Sequence, residues 1–245
     1  MTAVADIVRA AHRERPQALA ARDALGGPLV LRAVVLGASD VSRVSDLHER
    51  VCAAASPDTV RHDPPEFFIR VASGEGALLG FEGAEDGRLA AYGVVTFPGP
   101  DTDHCGRLIG LADGPLVAQF NGVAVDPSLR GNGLQRHLGR WRMATAARLG
   151  RRHVVSTASP RNVPSWVNLL SLGLVIRGLH VTYGALRYVF HTDLEADMPR
   201  GDARPVGLDD LAGQRKLLAA GWGGVGWTGG RRPEALLFAD LTGRR

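Results

Sequence analysis

Residues 123–135 read Val-Ala-Val-Asp-Pro-Ser-Leu-Arg-Gly-Asn-Gly-Leu-Gln. The apolar start predicts a strand, and Pro127 predicts its end, because proline cannot continue a hydrogen-bonded ladder. From Leu134 to about Leu149 the pattern becomes helical, with Leu134, Leu138, Trp141, Thr145 and Leu149 on one face. A glycine-rich turn therefore joins a strand to a helix N-terminus. The first amides of a helix have no intrahelical carbonyl to bond, and they carry the positive end of the helix dipole. Gly131 and Gly133 let an anion approach the backbone closely, and Arg130 adds a charge. The turn is thus a candidate anion site suited to a pyrophosphate. It is not a Walker loop, since no Lys-Ser/Thr pair follows the glycines.

Working outward, residues 29–36, 77–82, 88–97, 115–125 and 153–158 read as strands, and 174–183 with 186–194 as a hairpin turning at Gly184. Helices are predicted over 40–55, 66–72, 164–172 and 208–220, with a last strand over 235–240. Residues 98–114 form a long polar connection whose glycines suggest hinge-like freedom. The mixture predicts an α/β architecture: a central twisted mixed sheet flanked by helices. Residues 1–28 are expected as an N-terminal helical leader, 29–194 as the core domain, and 195–245 as a C-terminal helix-strand extension packed on it.

The 245 residues include 29 Lys and Arg against 25 Asp and Glu, a net charge of +4. A single lysine, Lys216, stands among the arginines, a skew that reads as genome composition. The bases are scattered among acids, which argues against a nucleic-acid partner. No run of about 18 apolar residues is present, so no membrane span is expected. Cys52 and Cys105 are too few and too far apart for a disulfide framework or a metal site, and no metal is expected. With no signal peptide pattern, the expected location is the cytoplasm.

The stretch Arg130-Gly131-Asn132-Gly133-Leu134-Gln135, opening a helix after Val-Asp-Pro, resembles the acyl-CoA-binding motif R/Q-x-x-G-x-G/A of the GNAT superfamily of acyltransferases. Gln135 departs from the usual Gly or Ala. Residues 159–174, Ser-Pro-Arg-Asn-Val-Pro-Ser-Trp-Val-Asn-Leu-Leu-Ser-Leu-Gly-Leu, resemble a later segment of the same family, and 183–194 resemble its closing hairpin. The resemblance implies a GNAT-like fold and transfer of an acetyl group from acetyl-CoA to the amine of a small molecule, by direct attack in a ternary complex. It implies that backbone groups of Val123, Ala124 and Val125 pair with pantetheine. Arg130 and the amides from Gly131 through Asn132, Gly133, Leu134, Gln135 and Arg136 would hold the pyrophosphate, with Asn162 and Ser165 near the pantetheine arm. The protein is expected as a monomer or homodimer. A non-catalytic acyl-CoA-binding module is the alternative.

The resemblance also exposes a gap. Many members carry a glutamate base on the strand that here reads Gln-Phe-Asn-Gly-Val-Ala-Val (119–125), without a carboxylate. Many carry a tyrosine acid seven residues after the asparagine, where this chain has Leu169. Proton transfer is left to Tyr183, His180 or a water chain. Asn162 also suits a helix cap, and Tyr183 a hairpin aromatic. Residues 221–226, Gly-Trp-Gly-Gly-Val-Gly, match G-x-G-x-x-G only in form, because they follow a helix. His62-Asp63, Glu85-Asp86 and His104-Cys105 read as polar loop residues.

Overall fold

The computed structural model describes residues 7–8, 18–56, 58–197 and 202–242. Eleven strands among them form one sheet: β1 (Ala18–Arg22), β2 (Pro28–Leu36), β3 (Gly76–Gly83), β4 (Leu89–Thr96), β5 (Val117–Val125), β6 (His153–Ala158), β7 (Val175–Thr182), β8 (Ala185–Asp193), β9 (Ala203–Gly207), β10 (Trp222–Trp227) and β11 (Ala235–Asp240). Their spatial order is β1-β2-β3-β4-β5-β6-β8-β7-β10-β11-β9. Every pairing is antiparallel except β5 with β6, which is parallel.

Helices cover both faces because the central strands are apolar on both. On β3, Ala77, Leu79 and Phe81 point to one side and Leu78 to the other, the period of two that a strand imposes. The first side packs against α3 (Leu134–Arg148) through Leu134, Leu138 and Trp141, and against α4 (Val163–Ser171) through Trp166, Leu169 and Leu170. The second side, with Tyr92, Val94 and Ala124, receives α1 (Val41–Ala53) and α2 (Pro65–Arg70) through Val44, Leu47, Val51 and Phe68. Trp141 is 2% exposed, and truncating such a residue to alanine costs on the order of 3–5 kcal/mol.

Both ends of the chain differ from expectation. The predicted N-terminal helix is replaced over residues 18–22 by β1, which pairs in register with β2; the rest of the leader lies outside the described residues, apart from a helical Ile7–Val8. The extension contains two strands that the sequence pattern hid, β9 and β10. The glycine-rich stretch 221–226 is largely β10 and extends the sheet from β7. Its glycines permit close packing: a Cβ at Gly223 would lie 2.3 Å from Leu241 Cδ1, and one at Gly224 2.9 Å from Ile176 Cδ1. The preceding α5 (Leu211–Ala219) packs on β7 and β10. Its buried Gln214 accepts a 2.7 Å hydrogen bond from Tyr188 Oη, and Trp227 meets Trp166 of α4 edge to face. None of the described helices is long and apolar enough to cross a membrane.

Candidate active site

The site begins where β5 and β6 part. Their ladder runs from Val117↔His153 to Phe120↔Ser156 and then stops. At that point β5 carries a bulge: Gly93 faces Val123 and Val95 faces Phe120, so Asn121 and Gly122 together oppose Val94. A bulge bends its strand and disrupts the ladder. Beyond it β5 stays on β4 while β6 follows β8, with Ala158 opposite Tyr188. The last shared carbonyl, on Phe120, is capped by Ser156 Oγ at 3.0 Å. A wedge-shaped cleft opens there, with the edge of Val123–Val125 facing it unpaired by β6.

The cleft leads toward the glycine turn, with Val123, Gln135, Asn162 and Ser165 bordering both its inner and its outer part. Its outer part is bordered by Val123, Val125, Arg130, Gly131, Gly133 to Arg136, Arg161, Asn162 and Ser165. Asp126 shapes the turn: its carboxylate, 3% exposed, accepts from Ser128 N at 3.0 Å, Ser128 Oγ at 2.6 Å and Arg88 Nη2 at 2.7 Å. Burial opposes its charge, but the Ser128 hydrogen bonds and the Arg88 cation outweigh burial and hold the carboxyl below its ordinary pKa. Gly131 and Gly133 have φ of +89° and +71°, a region that side chains avoid. A Cβ at Gly131 would meet nothing within 4 Å, so the turn is open above its backbone. With the start of α3 at Leu134, these residues form a cradle that fits a pyrophosphate.

Three expected ligands are engaged elsewhere by their side chains. Asn132 accepts from Arg22 N at 2.9 Å and donates to Arg22 O at 2.9 Å and Leu129 O at 3.0 Å, so it clips β1 to the turn. Only its backbone amide remains for a phosphate. Asn162 caps α4 by accepting from Ser165 N at 3.2 Å, and donates to Thr59 O at 3.1 Å across the cleft. Gln135 turns from the turn to α4, where it accepts from Asn168 Nδ2 at 3.1 Å.

The inner part of the cleft lies on the α1–α2 face, and the sequence reading missed most of it. Arg61, Asp63, Gln119, Asn121, Tyr183 and Arg187 border it. Asp63, expected as a loop residue, is 6% exposed, forms an ion pair with Arg61, and lies beside Gly122. Its position is set by His48, whose Nε2 accepts from Asp63 N at 2.8 Å while Nδ1 lies 2.7 Å from Tyr92 Oη. Burial pushes the His48 pKa down, so the ring is neutral; with Nε2 accepting, Nδ1 carries the proton toward Tyr92.

Tyr183 stands at the mouth of this part, with Arg61 4.5 Å from its ring centre. It occupies the first position of a two-residue hairpin turn with φ +53°, followed by Gly184 at +75°. Glycine or asparagine suits both positions better, so tyrosine there costs on the order of 1 kcal/mol. Burial, followed by the nearby Cys105, raises its pKa and keeps the phenol protonated. His180 is not brought to the cleft: it does not border it, and its Nε2 lies 2.7 Å from where a Gly178 Cβ would stand. The alternation of β7 places it elsewhere than the turn residue three positions later. Cys105 does border the cleft, but burial pushes its thiol to about 12, so it is no nucleophile at neutral pH.

The 98–114 connection is held rather than hinged. Arg151 Nη1 donates to Pro98 O at 3.0 Å, Gly114 O at 3.2 Å and Pro115 O at 2.6 Å, and Cys105 N donates to Gln119 Oε1 at 2.8 Å. Gly114 serves close packing: a Cβ there would lie 2.1 Å from Gly99 O.

No protein-family model and no curated protein matches this sequence. Solved structures do match. The chain is similar to yncA from Salmonella typhimurium, solved with its cofactor acetyl-CoA, at 16% identity over 67% of this chain and 94% of that one, with a TM-score of 0.51. It is similar to an N-acetyltransferase from Staphylococcus aureus Mu50 at 14% identity over 67% and 98% of the two chains, TM-score 0.52. A ribosomal-protein-S5-alanine acetyltransferase from Vibrio fischeri matches at 12% identity over 69% and 96%, TM-score 0.52. At these identities the likeness is one of architecture, and in architecture the chain has the fold of the GNAT N-acetyltransferases.

Proposed function

We propose that this protein transfers an acetyl group from acetyl-CoA to the amine of a small molecule. The observation that carries the reading is the parting of β5 and β6 directly into a cleft that ends on the Gly131–Gly133 turn. A CoA thioester has the shape such a cleft requires: an extended amide arm between an anionic diphosphate and a reactive carbonyl.

In this reading the backbone of Val123 to Val125 offers an open strand edge to the arm. The amides of residues 131–136 and the guanidinium of Arg130 meet the diphosphate, joined by Arg161 across the cleft. Acetyl-CoA supplies the activated acyl group. A backbone N–H after the bulge at Gly122 stabilises the oxyanion as charge develops. Asp63, beside Gly122, takes the proton that a base on β5 takes in the resembled family. Tyr183 donates one to the departing sulfur. The buried thiol of Cys105 favours direct transfer over an acyl-enzyme.

A non-catalytic acyl-CoA-binding module is the second reading, favoured by Leu169, 5% exposed, where an acid tyrosine is expected. Thiol release separates the two. Incubation with acetyl-CoA and a broad amine panel should liberate free CoA with at least one amine. Saturable acetyl-CoA binding with no release for any amine would leave the binding module.

A further inference from the structure

The inner cleft contains a cation that nothing in the described chain neutralises. Arg187 on β8 is 5% exposed, and its Nε has no hydrogen-bond partner. Among the described residues it forms no ion pair. Taking a guanidinium out of water is costly unless a partner repays it, and a side chain held this way is a device waiting for an anion. The other charges felt at this position are accounted for. Asp63 is paired with Arg61, Tyr183 is protonated, and Asp58 acts only from a distance, without a bond to it. Arg142, a second buried guanidinium bordering the cleft, also has an unpartnered Nε, but it donates from Nη1 to Val94 O at 3.2 Å and lies 4.3 Å from the Phe120 ring centre.

The acyl donor does not bring the missing anion. Its phosphates belong at the outer end, among Arg130, Arg136 and Arg161, and its arm and thioester are uncharged. The anion must therefore come with the acceptor. Building on the acyl-transfer reading, we propose that the acceptor is a small amine bearing a carboxylate, an amino acid in chemical class, whose carboxylate pairs with Arg187 while its ammonium faces Asp63.

A carboxylate suits the planar fork of one guanidinium, which it can engage through two parallel hydrogen bonds. A phosphate dianion calls for a second cation, but Arg61 is held by Asp63, and Arg142 is turned to Val94 O and the Phe120 ring. A zwitterion also matches the local charges, with Arg187 for its carboxylate and Asp63, the one carboxylate bordering the same cleft among the described residues, for its ammonium. In the reaction the ammonium first loses a proton. Its nitrogen then forms the C–N bond as the thioester C–S bond breaks, and Asp63 takes the second N–H proton. The sulfur leaves as thiolate and is protonated by Tyr183 or water. The net change is ammonium plus thioester to amide, thiol and one proton.

The test is a thiol-release assay with acetyl-CoA and matched trios: each free L-amino acid, its carboxamide, and its decarboxylated amine. At least one acid should exceed both partners in kcat/KM by about 10- to 100-fold, through KM, the size expected for one charge-assisted pair. Arg187→Met should erase that preference and leave acetyl-CoA affinity by calorimetry unchanged. It should not lower Tm, because replacing an unpaired buried charge by an apolar side chain of similar volume is neutral or stabilising. Arg187→Lys should restore part of the preference. Equal use of acids, amides and amines overturns the proposal, as does a fall in Tm for Arg187→Met with acids and amides affected alike. If acetyl-CoA binds but no amine is turned over, the acyl-transfer reading fails while the anion site still has its own readout. Free amino acids should raise the Tm of the acetyl-CoA-loaded wild type and not that of Arg187→Met; no rise with any acid overturns the site as well.

Discussion

Gln135 of α3 and Asn168 of α4 are joined by a 3.1 Å hydrogen bond between the two helices that border the cleft. Glutamine at the sixth position of the R-x-x-G-x-G/A pattern threatens to fill the phosphate cradle, and this contact draws the side chain aside. Gln135→Ala should therefore leave acetyl-CoA affinity unchanged within about threefold while lowering stability by about 1 kcal/mol, the worth of one neutral hydrogen bond. Calorimetry and thermal melting read the two effects separately. A large change in affinity would mean that the glutamine itself contacts the cofactor.

Asp63 and Tyr183 are expected to move the protons. Asp63→Asn keeps the shape and removes the base; Tyr183→Phe keeps the ring and removes only the hydroxyl. Each should lower kcat by about 10²-fold or more; Tyr183→Phe should leave Tm little changed, whereas Asp63→Asn should lower it, because it removes the anion paired with Arg61. Turnover of Tyr183→Phe within about threefold of wild type would make the tyrosine a structural hairpin residue, with water as the acid.

Shortening the 98–114 loop between the groups pinned by Arg151 should raise the acceptor's KM more than it weakens acetyl-CoA. The loop borders the inner cleft through Cys105 and stays clear of the Gly131 turn. Equal losses in both would point to a general loss of structure.

Stability should fall in mild acid because of His191. Burial, then the neighbouring His153 and Arg177, lower its pKa from 6.5 to about 4. The unfolded chain then binds a proton that the folded chain refuses. The contribution is intact above pH 6.5, is lost as the pH falls toward about 4, and amounts to on the order of 3 kcal/mol. His191→Phe should flatten that part of the melting-temperature profile; an unchanged slope would assign the acid sensitivity to other groups.

The outer half of the site was legible in the sequence because it is local. One turn, two glycines and the start of one helix lie within 13 consecutive residues, and their geometry follows from their own conformational preferences. The inner half was not. Asp63 and Arg187 stand 124 positions apart in the chain and meet in one cleft only because the α1–α2 connection folds over the place where two strands part. The strand β1 was hidden for the same reason: it is defined by pairing with β2 and by the clip from Asn132, neither of which leaves a periodic pattern. In β10 the glycines obscured a strand whose neighbours demand small residues. Asn162 borders the cleft and Asn132 lies in the glycine turn, but their side chains hold the scaffold, a distinction that rests on partners distant in sequence.

The central claim is that the turn at Gly131–Gly133 holds the diphosphate of an acyl-CoA, and titration of acetyl-CoA into wild type and Gly133→Glu by calorimetry tests it most directly. The wild type should bind saturably at one site per chain. The glutamate should abolish binding, since it places a carboxylate against the phosphates and a side chain where φ is +71°. Arg130→Ala, lacking one charge-assisted contact, should bind weaker by about 1.5–3 kcal/mol. Absence of heat with the wild type at saturating acetyl-CoA, or equal affinity in all three proteins, would contradict the account.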